Sequence, residues 1–327
     1  MRRRDFITLV GGAAVGWPLM ARAQQSAMPV VGFSNILSPE DVPHFVATFR
    51  QGLVELGFVE GKNLTVEYRW AQGHYDRLPD LIADLVHRQV AVLAATGGQP
   101  SPKIAMADTQ TIPIVFTTNG DPVKEGLVAS LSRPGGNATG VTLFGPDAVT
   151  KRLQLLHEVV PQAVTIAYLM NPGNPNVELE MSAAQQGAHS LGIDLHVLRA
   201  SSESEIEVAS ATMAQQQVGA LLTASDTFLF WKRDQIVSLA TQYRIPAIYY
   251  LRGFAQAGGL MTYGNTIDDV YRLVGTYVGR ILKGEKPGDL PVLQSTKFEF
   301  VINLKAAKTL GLTVPISMQL LADEVIE

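Results

Sequence analysis

Cysteine is absent from all 327 residues. That excludes disulfides, thiolate metal sites, a cysteine nucleophile and a lipid-anchored cysteine behind a cleaved leader. Histidine is scarce, and the six present (His44, His74, His87, His157, His189 and His196) show no H-x-x-x-H or other ligand spacing. Neither G-x-G-x-x-G nor G-x-x-x-x-G-K occurs, so dinucleotide and nucleotide binding lack a motif. Gly32-Phe33-Ser34-Asn35-Ile36 begins like a nucleophile elbow, but Ile36 stands where a glycine is required, and no histidine partner is evident. No basic run is available to neutralise nucleic-acid phosphates. Behind residue 23 no apolar stretch is long enough for a membrane helix. These absences point away from an enzyme, a metal site, a cofactor and a nucleic-acid partner, and towards a chain that holds a molecule without transforming it.

The N-terminus carries a leader pattern. Arg2, Arg3 and Arg4 precede an apolar, Gly- and Ala-rich run from Phe6 to Met20, and Ala21-Arg22-Ala23 offers a small-x-small cleavage site. The run is too short to span a bilayer. Arg3-Arg4-Asp5-Phe6-Ile7 resembles the twin-arginine signal; an ordinary secretory signal with an extra arginine is the alternative, and both export the chain. Cleavage near Ala23 removes four arginines and one aspartate and takes the formal charge from −4 to −7. The expectation is an unanchored, monomeric protein in a periplasm.

The remaining chain is too long for one ordinary core and repeats one unit twice. Short apolar runs at Val30–Phe33, Leu64–Tyr68, Val90–Leu93 and Ile114–Phe116 alternate with amphipathic stretches. In one stretch Phe45, Phe49, Leu53 and Leu56 are followed by Gly57; in another Leu78, Leu81, Ile82, Leu85 and Val86 fit a helix face. The second half answers with strands at Thr165–Leu169, Asp194–Leu198, Ala220–Thr223 and Ala247–Tyr250. A helix after Asn176 presents Met181, Ala184, Ala188 and Leu191 and ends at Gly192. Another starts at Ser202 with Glu205 three residues on, a capping box, and buries Ile206, Ala209 and Met213. The fold class this implies is α/β, with two doubly wound, Rossmann-like lobes. The expected division is residues 24–142 for the first lobe and 143–264 for the second. Residues 265–327 supply a crossover helix (Val270, Leu273, Val274, Tyr277, Ile281, Leu282) and a segment completing the lobes. Arg133–Asn137 and Ala257–Leu260 punctuate the chain ahead of the two lobe ends. Which lobe receives the helix is open.

In such sheets ligands bind beyond the C-terminal ends of the strands. The loops there are polar and glycine-rich: Ser34-Asn35, Thr96-Gly97-Gly98-Gln99, Asn119-Gly120-Asp121, Asn171-Pro172-Gly173, Asp226-Thr227 and Tyr249-Tyr250. Gly97 and Gly98 let backbone N–H groups approach an anion, a carboxylate above all. Asp121 and Asp226 are suited either to pair with an ammonium group or to cap helices, Asp121 with Pro122 at the first helical position. Of Tyr249 and Tyr250, neighbours on a strand, one must face inward. Trp70 and Tyr75 are further candidates for the cleft wall.

Several strings together resemble the ABC-transporter substrate-binding family that includes tryptophan- and tyrosine-binding members. They are Phe49-Arg50-Gln51-Gly52-Leu53, Glu67-Tyr68-Arg69-Trp70-Ala71, Ala95-Thr96-Gly97-Gly98, Gly120-Asp121-Pro122-Val123, Asn137-Ala138-Thr139-Gly140-Val141, Ile245-Pro246-Ala247-Ile248-Tyr249 and Val301-Ile302-Asn303-Leu304-Lys305. The resemblance covers essentially the whole chain behind the leader. It implies a type I periplasmic binding fold, two lobes joined by three crossings and closing by a hinge, with a membrane permease and an ATPase as partners. It also implies a small-molecule solute of the amino-acid kind held by loop hydroxyls and a second-lobe aspartate. Ser34, Asp121 and Asp226-Thr227 match those positions; Gln99 stands where relatives commonly carry a small hydroxyl residue. The implied function is solute capture for an ABC importer; a ligand sensor read by a membrane receptor is the alternative.

Overall fold

The computed structural model describes residues 28–327 apart from Gln99, Phe144 and Pro175, so the leader and Gln99 readings lie outside the described residues. The first five strands are β1 (Val30–Asn35), β2 (Thr65–Trp70), β3 (Val92–Ala95), β4 (Ile114–Thr118) and β5 (Ala138–Thr142). The next five are β6 (Thr165–Met170), β7 (Asp194–Arg199), β8 (Ala220–Thr223), β9 (Ala247–Tyr249) and β10 (Met261–Asn265), with β11 (Leu293–Gln294), β12 (Phe298–Asn303) and β13 (Glu324–Ile326) following. They form two sheets, ordered β11-β5-β4-β3-β1-β2 and β13-β12-β10-β9-β8-β6-β7. Every neighbouring pair is parallel except β10 with β12.

Central strands β3, β4, β5 and β8 are buried along their whole length, while the edge strands β2 and β7 are mostly half-buried. That is the signature of parallel sheets covered on both faces, and it explains why these strands read as continuous apolar runs. Each sheet reverses its winding once, between β1 and β3 and between β6 and β8, which opens a crevice at those strand ends.

The first ten helices in chain order are α1 (Pro43–Glu55), α2 (Leu78–His87), α3 (Pro100–Asp108), α4 (Pro146–Val159), α5 (Val177–Leu191), α6 (Glu203–Gln215), α7 (Thr227–Trp231), α8 (Arg233–Gln242), α9 (Arg252–Gln256) and α10 (Ile267–Leu282). Their ends follow local chemistry. Gly192 closes α5 at φ 69°, a conformation cheap only for glycine. The Ser202 hydroxyl accepts the Glu205 N–H at the start of α6, and the Glu205 carboxylate turns back to the Ser201 N–H at 2.7 Å. Asp121 behaves as a cap, accepting the N–H groups of Val123 and Lys124 at 3.0 and 3.2 Å. The helix expected behind Pro122 is instead a turn over residues 122–126, because Gly126 at φ 73° reverses the chain after one revolution.

The chain passes between the sheets three times: after β5, at Thr266 and at residues 295–297. Helix α10 follows a strand of the second sheet yet packs on α1 of the first. Its buried face carries Gly275 and Gly279, and α1 answers with Gly52. A Cβ on Gly275 would lie 2.1 Å from the Phe49 carbonyl oxygen, and one on Gly52 2.1 Å from that of Arg272. The two backbones therefore touch. Tyr271 of α10 accepts a 2.7 Å hydrogen bond from Asn35 Nδ2 at the end of β1, tying the helix to the sheet beside the crevice.

Candidate functional site

The two crevices face each other and enclose a cavity of about 100 Å³. Its floor on the first lobe includes Leu37, Gly97, Gly98, Thr117 and Asn119; Arg152, Glu180, Ser225, Thr227 and Tyr250 face them from the second. Phe45 of α1, Tyr271 of α10 and Phe230 of α7 supply an aromatic wall. Phe45 stacks on Tyr271 with ring centroids 4.6 Å apart, and on Phe230 across the cleft at 6.4 Å.

The lobes meet directly around this cavity. A Cβ on Gly98 would stand 3.1 Å from Thr227 Oγ1, and one on Gly73 only 2.2 Å from the Trp231 ring. Lys232 covers Trp231 with its ammonium 3.4 Å from the ring centroid, and Arg233 faces Asp41 of the other lobe at 3.6 Å. Glycine at 73, with φ 81°, provides both the backbone conformation and the flat seat for the indole. These contacts describe the closed arrangement of a two-lobed protein.

The sequence-derived residues divide into two sets. Gly97, Gly98, Asn119, Thr227 and Tyr250 line the cavity. Ser34 and Asn35 are fully buried one layer beneath it: Asn35 Nδ2 also donates to Thr96 Oγ1 at 3.0 Å, and its Oδ1 accepts the Leu37 N–H, so it braces the floor. Asp121 caps its turn away from the lining. Tyr249 points into the core, stacked on Phe254 at 4.4 Å, whereas Tyr250 lines the cavity and donates to the Asp226 carbonyl at 2.6 Å. Trp70 stacks on Tyr68 rather than on the cavity.

Asp226 is fully buried behind the lining. Its Oδ1 caps α7 by accepting the Leu229 N–H at 3.0 Å, Asn171 Nδ2 stands 3.3 and 3.4 Å from its two oxygens, and Tyr75 Oη of the other lobe is 3.5 Å away. Loss of water dominates over these donors and pushes its carboxyl up from 3.8 to about 6. Burial, followed by the nearby Asp226 charge, raises the phenols of Tyr75 and Tyr250 well above the usual tyrosine value; burial also lifts Tyr271 to about 12.

Sequence reasoning missed the charged centre of the site. Arg152, on α4, is 2% exposed, and its Nη2 donates to Glu180 of α5 at 2.5 Å and to Ser225 Oγ at 3.1 Å. Glu180 in turn accepts the Ser225 N–H and hydroxyl. Arg152 Nε is buried and has no acceptor among the described residues. Each of the three residues sits on a different element, and an arginine in an amphipathic helix reads as surface; no spacing links them.

A family model described as ABC transporter substrate binding protein matches residues 12–326. The chain belongs to that family. The chain is 24% identical over 282 residues to a tyrosine-binding protein of Clostridioides difficile (strain R20291), covering 86% of this chain and 81% of the relative. Among solved structures, a conserved domain protein from Vibrio cholerae superposes with a TM-score of 0.84 at 27% identity, covering 91% of this chain and 99% of the other. An ABC domain from Streptococcus pneumonia in complex with L-Trp superposes with a TM-score of 0.83 at 23% identity and the same coverage. The two-lobed, type I periplasmic binding architecture expected from the sequence is thus the fold of this substrate-binding protein.

Proposed function

We propose that this substrate-binding protein works in the periplasm as the solute-capturing component of an ABC importer. It closes its lobes over a small carboxylate-bearing solute with an apolar body, either an aromatic or branched amino acid or the corresponding acid without its amine. The observation that carries this reading is a cavity lined by both lobes, with Phe45, Tyr271 and Phe230 as an aromatic wall and the Arg152–Glu180 pair with Ser225 on its surface. An arginine in a cavity wall suits a solute carboxylate, which it meets with charge-assisted hydrogen bonds. The tyrosine- and L-Trp-binding relatives support a ligand of this size and chemistry. The export pattern at residues 2–23 supports the periplasm, and permease and ATPase subunits follow as partners from the family. No nucleophile–base pair was found in the sequence, in keeping with a protein that holds its solute unchanged.

The test is a thermal-shift screen of residues 24–327 against amino acids and aromatic or branched carboxylates. A solute at 100 times its Kd adds about 2.7 kcal/mol of stability. The expected result is a raised Tm with a subset of these solutes. The importer reading fails if none of them shifts unfolding while the protein binds a membrane sensor domain.

A further inference from the structure

We propose that Trp231-Lys232-Arg233 is an interlobe clasp that sets how long the protein retains its solute, through contacts made outside the solute cavity. Its bearing on retention rests on the solute-capture reading.

The three residues stand at the junction of two helices. Helix α7 ends at Trp231, the chain turns at Lys232 (φ −93°, ψ 19°), and α8 starts at Arg233. Trp231 reaches the first lobe at Gly73, where a Cβ would stand 2.2 Å from the ring, and the His74 ring lies 6.0 Å from the indole. Lys232 holds the same indole from the second lobe, its ammonium 3.4 Å from the ring centroid, and is itself fixed by an ion pair with Glu203. Arg233 crosses to Asp41 at 3.6 Å, both side chains half-buried. Its guanidinium also rests over the Phe230 ring at 4.9 Å and donates to the Phe230 carbonyl at 3.2 Å. The second-lobe arm is therefore oriented by its own lobe before it meets the first.

The seat on the first lobe is equally fixed. Gln72 and Gly73 both adopt left-handed backbone, at φ 56° and 81°, a conformation uncommon for glutamine. The Gly73 N–H donates to the Ile36 carbonyl at 2.6 Å, and the His74 N–H to that of Ala71 at 3.1 Å. Arg77 donates to the Gln72 side chain at 2.9 Å and to the Ala71 carbonyl at 3.3 Å. These bonds present a strip of backbone without a side chain to Trp231. Pinned backbone strain of this kind marks a functional contact.

Trp231, Arg233, Gly73 and Asp41 stand outside the cavity lining, yet α7 ties clasp and cavity together. Thr227, four residues before Trp231 on the same short helix, lines the cavity, as does Phe230. Solute contact with either residue and the seating of Trp231 therefore move as one body. Because the clasp makes the same contacts whatever the cavity holds, it slows release of every solute by a common factor and leaves selectivity unchanged.

The test is release of radiolabelled L-phenylalanine, L-leucine and 3-phenylpropanoate from the chain without its leader, chased with excess unlabelled probe. Trp231→Ala should release each probe about 10–100-fold faster, the range for truncating an aromatic anchor. Asp41→Asn, a change of one half-buried ion pair, should release each about 2–5-fold faster and serves where Trp231→Ala does not fold. Trp231→Phe, which keeps a ring over Gly73, should recover most of the loss, and association should not slow in any variant. An unchanged release rate overturns the clasp, as do factors that differ more than about threefold between probes. If no probe binds the unaltered chain, solute capture fails for these solutes and small-angle scattering decides the clasp separately. A larger radius of gyration in Trp231→Ala/Asp41→Asn than in the unaltered chain then supports it, and an equal one overturns it.

Discussion

Replacing Asp226 by asparagine should make the protein more stable at neutral pH. The carboxyl is fully buried, and loss of water outweighs its donors, the Leu229 N–H and Asn171 foremost, and raises it from 3.8 to about 6. An acid raised in the native state binds its proton more tightly folded than unfolded. Its favourable contribution is therefore full below pH 3.8, falls as pH rises, and is lost above about 6. A difference of that size corresponds to about 3 kcal/mol at 1.36 kcal/mol per pKa unit. Asparagine keeps the oxygen that accepts the Leu229 N–H and is as good an N-cap as aspartate. Urea unfolding followed by circular dichroism at pH 4, 5, 6 and 7.5 should show the variant about 3 kcal/mol more stable at pH 7.5 and nearly equal at pH 4. Because Tyr75 belongs to the opposite lobe, part of the effect should emerge as proton uptake on closure, with closing favoured as pH falls through 6. A variant less stable at pH 7.5, or a gap between the two proteins that does not change with pH, would refute the reasoning.

Three further outcomes follow from the packing. Gly275→Ala places a methyl 2.1 Å from the Phe49 carbonyl oxygen; overpacking of that kind should cost about 3 kcal/mol in urea unfolding, and a neutral result would mean α1 and α10 do not touch. Gly73→Ala should lose about 1–2 kcal/mol to its left-handed φ and, beyond that, clash with the Trp231 ring only when the lobes are shut. Small-angle scattering at saturating solute should show a larger radius of gyration for this variant, restored by adding Trp231→Ala. Ser202→Ala should cost about 1 kcal/mol by removing the cap of α6, read from the urea midpoint.

The fold was legible where one residue's neighbours in sequence are also its neighbours in space. Val30–Phe33 and Ala220–Thr223 announce buried strands because both of their faces are covered, and Gly192 and Ser202 mark helix ends through local backbone chemistry. The destination of α10 was not legible: its partner surface is Gly52 and Phe49, more than 200 positions earlier, and a glycine's lack of a side chain leaves no hydrophobic signal. The site was half legible for the same reason. Loop glycines and polar residues at strand ends locate the crevice, and Gly97, Gly98, Thr227 and Tyr250 do line it. Arg152 and Glu180 acquire their meaning only when α4 and α5 bring them together beside Ser225. Tyr249 and Tyr250 show the limit of alternation: it demands that one face inward without saying which.

The docking of α10 on α1 bears on the order in which the molecule can be assembled. The first lobe emerges first during synthesis, yet its helix layer waits for residues 267–282 and its edge strand for Leu293 and Gln294. Until then the Gly52 face of α1 and the outer edge of β5 stand bare. Neither half can finish from a contiguous piece of chain, so a polypeptide truncated behind β10 yields two incomplete halves. The two lobes therefore complete their folding nearly together, once residues 267–326 are available.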